Sequence, residues 1–205
     1  TNEAPTLAGP QGNTTTIEKG GQLNLDTLVT AHDKEDDQNA TLGNGVTKEI
    51  VSVNGVSATK TVDVNRPGSY VVKYKATDSQ GVSSSELDVT VKVKPTAPTV
   101  TAGDNGDVTV RPAMQDNVNT VSFTYTNANT TSPTNKTVTA NKTNNSWSLT
   151  GAPTDGVTID AATGIVTIKD REIKDNSQIT AKSVTTDNVE STTATANSKV
   201  GDRVA

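Results

Sequence analysis

The chain has 205 residues, a formal net charge of −5 at pH 7 and a hydrophobic fraction of only 31%. The acidic balance argues against nucleic acid as a partner, because binding a phosphate backbone requires a basic surface. No stretch approaches the roughly 20 apolar residues that a membrane-spanning helix needs, so we expect no membrane insertion.

Threonine and valine are abundant, and alternating apolar and polar residues predict strands throughout the first half of the chain. β-branched side chains favour the pleated surface of a sheet. The two clearest patterns cover residues 69–76 and 86–94, where apolar residues recur at every second position. Weaker patterns predict further strands at residues 14–17, 23–25, 49–53 and 60–64.

A proline-rich segment divides the chain. Pro95 and Pro98 stand in the sequence KPTAPT, and prolines at this spacing favour an extended connection rather than a continuing strand. We therefore predict two domains, residues 1–94 and residues 95–205. Domains of about 100 residues are large enough to fold alone.

The second half repeats the style of the first. Alternation predicts strands at residues 121–125, 146–149, 157–160, 165–168 and 179–184. Gly164 is expected to take a left-handed conformation in the hairpin turn between two of them. A weak internal repeat links residues 76–83 (ATDSQGVS) with residues 185–191 (TTDNVES). Short strands broken by turn residues predict a β-sandwich in each half.

Several motifs resemble known families. AHDKEDD (31–37), RPGSYVVKYKATDSQG (66–81) and LDVTVKV (87–93) are similar to the bacterial Ig-like repeats of Gram-positive surface proteins. PTAPTVTAGDNGDVTV (95–110) and VTIDAATGIVTI (157–168) resemble another Ig-like or cadherin-like class from staphylococcal and streptococcal wall proteins. The resemblance implies an all-β chain of two tandem Ig-like/cadherin-like β-sandwich domains.

The same resemblance implies an extracellular module of a bacterial cell-surface adhesin, anchored to the cell wall through regions outside this sequence. Such proteins serve adhesion, biofilm formation and virulence, and the module is expected to be a monomer within a longer multi-domain chain. Three roles stay open: a stalk or spacer, a domain pair that binds a host extracellular protein or glycan, and an accessory module of a secreted wall-acting enzyme.

An acidic loop is the best candidate site. Asp33, Glu35, Asp36 and Asp37 lie close together, and Asp78 could join them from a neighbouring strand end. Calcium takes six to eight oxygen ligands from carboxylates and carbonyls. These five residues therefore form a candidate Ca²⁺ site, the one cofactor considered for this chain. The alternative is a solvated acidic loop that aids solubility.

A second candidate is the polar segment from Asn127 to Asn145, which is rich in threonine and asparagine. Loops at the end of a sandwich commonly carry recognition. We therefore favour this segment as a ligand-binding loop, although the ligand is not identified by the sequence.

We expect no enzyme activity and assign no catalytic residues. His32 is the single histidine and cysteine is absent, which excludes Cys–His catalysis and leaves too few ligands for zinc. No Gly-x-Ser-x-Gly motif is present to support a serine nucleophile. Aromatic residues make up only 2% of the chain, which disfavours a cleft for processing sugars.

Overall fold

Strands account for nearly all the regular structure. The computed structural model describes residues 1–38, 45–152 and 155–201. Within these ranges the chain forms fifteen strands and a three-residue 3-10 turn at Gln11–Asn13, with no α-helix. The predicted all-β class is therefore confirmed. In the described part of the chain, no helix is long and apolar enough to span a bilayer.

The chain divides into two compact units: Thr1–Asn65 with Ser69–Val93, and Arg66–Gly68 with the chain from Lys94 onward. The first unit contains the strands β1 (Thr6–Ala8), β2 (Thr14–Glu18), β3 (Thr30–His32), β4 (Thr47–Val53), β5 (Gly68–Thr77) and β6 (Leu87–Lys94). The second contains β7 (Thr99–Ala102), β8 (Val108–Arg111), β9 (Val118–Thr126), β10 (Asn135–Thr143), β11 (Ser146–Thr150), β12 (Val157–Ile159), β13 (Val166–Ile168), β14 (Gln178–Thr185) and β15 (Ala194–Asn197). The assignment of domains to residues 1–94 and 95–205 stays a prediction.

The first unit is built from a four-stranded sheet, in the order β2–β6–β5–β4, and a two-stranded sheet, β1–β3. Its long strands bury every second side chain, as predicted: Val72 and Tyr74 of β5, and Val89 and Val91 of β6, are at most 1% exposed. Val29, just before β3, is fully buried in the same core.

Two strands predicted in this unit, at residues 23–25 and 60–64, are absent from the described structure. Their apolar side chains still pack, partly buried, against the core: Leu23, Leu25 and Val62. A turn in which the Asn24 side chain accepts a hydrogen bond from the Asp26 N–H, at 3.0 Å, interrupts the first segment. The prediction of two strands is wrong here. The alternating apolar residues are partly buried, but the backbone of these segments does not pair with a sheet.

The second unit is a sandwich of a five-stranded sheet, β11–β10–β9–β14–β15, and a four-stranded sheet, β12–β13–β8–β7. Phe123 and Tyr125 of β9 share one buried cluster with Val108 and Val110 of β8, so side chains from both sheets fill one core.

The segment from Asn127 to Asn145, predicted as one long loop, is a loop only in its first part. Strand β10 occupies most of its second part and pairs with both β9 and β11. Val138 and Ala140 of this strand are buried. Only these two apolar residues stand among polar neighbours, so composition concealed the strand. The prediction of an unbroken loop is wrong, and residues 127–134 form the actual connection.

Both units carry the same hook between a long strand and the strand that follows it. In the first hook, residues 76–84, the Ala76 N–H donates to the Ser84 hydroxyl and the Ser84 N–H donates to the Ala76 carbonyl, at 2.9 and 2.8 Å. In the second hook, residues 183–191, Ser183 and Ser191 make the same two bonds, both at 2.9 Å.

One inner bond is shared by the two hooks and differs in its accepting group. The Val82 N–H donates to the Asp78 carboxylate, and the Val189 N–H donates to the Thr185 hydroxyl, each at 2.8 Å. The internal repeat noted in the sequence is therefore a shared structural element. It is aligned so that Asp78 corresponds to Thr185 rather than to Asp187.

Gly164 closes the turn between β12 and β13 with a φ of +75°, the left-handed conformation predicted for it. A Cβ at this position would lie 2.7 Å from ring atoms of Trp147, which is only 5% exposed. Glycine is therefore required both by the backbone conformation and by the close approach of the turn to the indole.

We expect Gly164→Ala to lower the free energy of unfolding of the second unit by about 2–4 kcal/mol, since left-handed strain adds to overlap with the indole. Gly151→Ala is the matched control. Gly151 has a φ of +82°, but its Cβ would meet only the Thr137 carbonyl, at 3.4 Å, so we expect a loss of about 1 kcal/mol. Urea unfolding followed by the fluorescence of the single tryptophan measures both variants. Equal losses would contradict the role given to the indole.

Candidate functional site

Three segments that are far apart in sequence meet in the first unit: the first residues of the chain, the acidic loop and the hook. The Asn2 side-chain amide donates to Asp78 Oδ2 at 2.8 Å, and the Glu3 N–H donates to Glu35 Oε1. The hook contacts the acidic loop through Asp36. We call the residues joined by these contacts the acidic cluster: Asn2, Asp33, Glu35, Asp36 and Asp78.

Asp33 shapes the acidic loop. Its Oδ1 accepts hydrogen bonds from the N–H groups of Glu35 and Asp36, at 3.0 and 2.8 Å. Its carbonyl accepts from the Asp37 N–H at 2.9 Å. This is the local capping that aspartate provides at turns, and it explains why the chain reverses here. Asp33 is only 2% exposed.

Asp36 connects the loop to the hook. It is 2% exposed, and its carboxylate accepts from both the N–H and the hydroxyl of Ser79, at 2.8 and 2.6 Å. Both oxygens are therefore occupied by strong hydrogen bonds to one residue. Asp36 is consequently a structural link, and its charge is stabilised by those two donors.

Asp78 is likewise occupied. Its Oδ1 accepts from the N–H groups of Gln80 and Val82, at 2.9 and 2.8 Å, and its Oδ2 accepts from Asn2. These donors hold the pKa of the Asp78 carboxyl below its usual value, with the Asn2 amide as the largest cause and burial acting in the opposite direction. The carboxylate is therefore the stable form in the folded protein.

Three oxygen atoms of the acidic cluster have no such donor. Asn2 Oδ1, Asp33 Oδ2 and Glu35 Oε2 are buried and accept no hydrogen bond within the described structure. A buried acceptor without a partner loses its hydrogen bonds to water and gains no hydrogen bond within the protein, which destabilises the fold. These three atoms are therefore the part of the cluster that the fold itself leaves unsatisfied.

The basic side chains near the acidic cluster form ion pairs with residues outside it. In the described ranges, no Lys, Arg or His forms an ion pair with Asp33, Glu35, Asp36 or Asp78. Lys34 pairs with Glu3 at 3.3 Å, and His32 lies 3.4 Å from Asp37. Asp37, predicted as part of the same site, is exposed, and its carboxylate accepts from the Asp33 N–H at 3.1 Å.

The five predicted calcium ligands thus divide into two groups. Asp33, Glu35, Asp36 and Asp78 are buried or half-buried, whereas Asp37 is exposed and joins the network through two hydrogen bonds with Asp33. Across residues 1–38, 45–152 and 155–201, no three or more His, Cys, Asp or Glu side chains are arranged to hold a metal ion. The calcium assignment based on five carboxylates therefore stays a prediction.

Asn2 is the residue that sequence reasoning missed. It reaches Asp78 across 76 positions of sequence, so no local motif marks it. Its amide supplies one donor to the cluster and one oxygen without a donor. Only the pairing of β1 with β3, which brings the first residues next to the acidic loop, could have revealed it.

A groove of about 360 Å³ lies beside the connection at residues 127–134 in the second unit. Asn129 organises this connection, since its side-chain oxygen accepts from the N–H groups of Thr131 and Ser132 at 3.0 and 3.1 Å. The groove is lined by Ala128, Asn129, Thr130, Pro133, Lys174 and Asp175. It retains the first part of the recognition segment predicted from the sequence.

A second groove, of about 440 Å³, lies in the first unit beside Tyr74 and Lys48. The Tyr74 hydroxyl donates to the Leu25 carbonyl at 2.6 Å, and burial, with a smaller effect of Asp26, raises the pKa of Tyr74 to about 12. Lys48 donates to the carbonyls of Asp26 and Val29, at 2.7 and 2.8 Å. These polar groups therefore stabilise the loop before β3 and are not free to bind a ligand.

The sequence matches no protein-family model and no curated protein. Among solved structures, the chain is similar to Drosophila N-cadherin EC1-3, with 12% identity, a TM-score of 0.32, and coverage of 97% of this chain and 67% of that chain. It is also similar to the M60 catalytic domain with the CBM51-1 and CBM51-2 domains from Clostridium perfringens ZmpB. There the identity is 15% and the TM-score 0.33, and the match covers 83% of this chain and 23% of that one. Both likenesses are too distant to assign a family or a function.

The lowered pKa of Asp78 predicts a pH dependence. Its carboxylate stabilises the fold fully above the unfolded pKa, near 4, and this contribution is lost as the pH falls through the lower folded pKa. In Asp78→Thr, which introduces the residue found in the second hook, that contribution is absent. We expect the stability difference between the two proteins to be full at pH 6 and to shrink below pH 4.

Urea unfolding of the first unit in the presence of EDTA, followed by the amide NMR signals of β5, measures this difference at each pH. A difference in the free energy of unfolding that stays constant from pH 6 to pH 2 would show that folding does not lower the pKa of Asp78.

Proposed function

We propose that this chain is a non-catalytic extracellular module of a bacterial cell-wall-anchored adhesin, in which two β-sandwich domains act as a spacer. The observation that supports this proposal is the separate core of each unit. Val72 and Val91 lie in one buried cluster, and Phe123 and Ile168 lie in another. Each unit can therefore resist unfolding independently, as a stalk requires.

The arrangement of the strands fits a load-bearing role. In the first unit, β6 lies between β2 and β5, so pulling on it must break backbone hydrogen bonds on two sides. In the second unit, β7 and β15 are the first and last strands and belong to different sheets of the sandwich. Force applied through these strands would act on the shared core as well as on strand pairing.

Single-molecule stretching of the full chain tests the spacer role. We expect two separate unfolding events, each releasing about 300 Å of contour length, since an extended residue spans about 3.5 Å. Gly164→Ala should lower the unfolding force of one event and leave the other unchanged. A single soft extension without force peaks would contradict the proposal.

A second candidate function is the binding of a host glycan or extracellular protein at the groove beside residues 127–134. The observation that favours it is the convergence of hydroxyl, amide and charged groups there, including Asn129, Lys174 and Asp175. Polar groups of this kind suit a ligand rich in hydroxyl groups.

An array of host glycans and matrix proteins, probed with the full chain, tests this second function. We expect Lys174→Ala to weaken any specific binding by at least about tenfold, the effect of one lost charged hydrogen bond. Lys142→Ala, which removes the same charge from β10, is the matched control and should bind normally. An array without a reproducible signal would remove this candidate.

A further inference from the structure

We propose that Asn2 Oδ1, Asp33 Oδ2 and Glu35 Oε2 together bind a calcium ion in the first unit. This site goes beyond the spacer function and does not depend on it. The oxygens belong to neighbouring groups. Asp33 accepts from the Glu35 N–H at 3.0 Å, and Glu35 accepts from the N–H of Glu3, the residue that follows Asn2. The three residues are therefore connected through hydrogen bonds between side chains and the neighbouring backbone.

The unsatisfied oxygen of Asp33 is the observation that points to a ligand. Asp33 is 2% exposed, one of its oxygens accepts two N–H groups, and the other accepts none. A buried carboxylate oxygen normally has a donor or a cation beside it. Asn2 Oδ1 and Glu35 Oε2 share this deficit, so a single positive ion would satisfy three orphaned acceptors at once.

The first hook has more carboxylates than the corresponding hook of the second unit. In the second hook the Val189 N–H donates to a neutral group, the Thr185 hydroxyl, where the first hook has Asp78; the carboxylate of this hook, Asp187, accepts from that hydroxyl at 2.7 Å. Asn117 takes the place of Asp36: its backbone carbonyl accepts from the Thr186 N–H at 3.0 Å and its side-chain oxygen accepts from the Thr186 hydroxyl, whereas the Asp36 carboxylate accepts both bonds from Ser79. The second hook thus closes with a single carboxylate, whereas the first has two, Asp36 and Asp78, beside Asp33 and Glu35.

Accumulated carboxylates repel one another unless a cation compensates them. No Lys, Arg or His within the described ranges pairs with the carboxylates of the cluster, so the structure supplies no compensating side chain. Asp36 and Asp78 have their oxygens occupied by hydrogen bonds, and they contribute charge rather than direct coordination. The ligands proposed here therefore differ from the five carboxylates expected from sequence.

The donor set favours calcium over other cations. Two carboxylates and one amide carbonyl are hard oxygen ligands, and water or backbone carbonyls would complete the six to eight positions that calcium occupies. Zinc prefers nitrogen and sulfur ligands, and magnesium requires a tighter octahedron. With only three side-chain oxygens, we expect a dissociation constant of about 0.1–1 mM, in the range of extracellular calcium modules.

Thermal unfolding of the full chain tests the site, first in EDTA and then in 10 mM CaCl₂. The first unit is followed by the NMR signals of its strands and the second by the fluorescence of Trp147. We expect the Tm of the first unit to rise by roughly 5–15 °C, because calcium binds only the folded form, and that of the second unit to stay unchanged. Magnesium at the same concentration, and NaCl at the same ionic strength, should produce a smaller rise.

Near-isosteric variants assign the ligands. Glu35→Gln and Asp33→Asn each retain an acceptor for the existing N–H bonds and replace the orphaned oxygen with an amide nitrogen. Each should weaken calcium binding at least tenfold in a titration of the NMR signals of residues 33–37. Asp88 lies on β6 and forms an ion pair with Lys73. Asp88→Asn, which also removes one negative charge, is the control and should bind calcium like the wild type.

The results that would overturn the site are equally defined. They are a Tm that calcium leaves unchanged, an equal rise in both units, or full binding by Glu35→Gln. Loss of binding in Asp37→Asn but not in Glu35→Gln would place the ion on the exposed part of the loop instead. Glu35 is only half-buried, so this variant remains informative if Asp33→Asn fails to fold in EDTA.

Discussion

The alternation of buried and exposed side chains along each strand is the constraint on which the structure depends. With a hydrophobic fraction of 31%, the chain can fill two cores only if nearly every long strand directs its apolar residues to one face. Val89, Val91 and Val93 of β6 do so without exception, and all three are fully buried. The site, the hooks and the grooves are all attached to strands held in place by this packing.

This constraint explains which parts of the fold could be predicted. Strands with regular alternation, such as β5 and β6, follow from sequence because one face is wholly apolar. β10 could not be recognised, since its burial rests on Val138 and Ala140 and its pairing comes from strands on both sides. Conversely, Leu23 and Leu25 are packed without belonging to a sheet. Tertiary contacts determine pairing where local pattern is weak.

The acidic cluster shows a similar division. The concentration of carboxylates around Asp33 is visible in the sequence. The role of each carboxylate, however, depends on hydrogen-bond donors that only the fold brings near it. Ser79 occupies Asp36, and Asn2 together with the hook backbone occupies Asp78. Local sequence therefore predicts where charge accumulates, whereas the distribution of hydrogen-bond donors decides which oxygens are left over.

The turns have a property that bears on stiffness. Every non-glycine residue that the structure describes with a positive φ is an asparagine: Asn13, Asn54, Asn117, Asn144, Asn145, Asn176 and Asn188. Asparagine tolerates the left-handed region, and it has fewer accessible conformations than glycine in the unfolded chain. Asparagine at these turns thus lowers the conformational entropy of the unfolded chain, compared with glycine, and still allows the left-handed turn geometry. A chain with so few large apolar side chains gains, in this way, part of the stability that a richer core would supply.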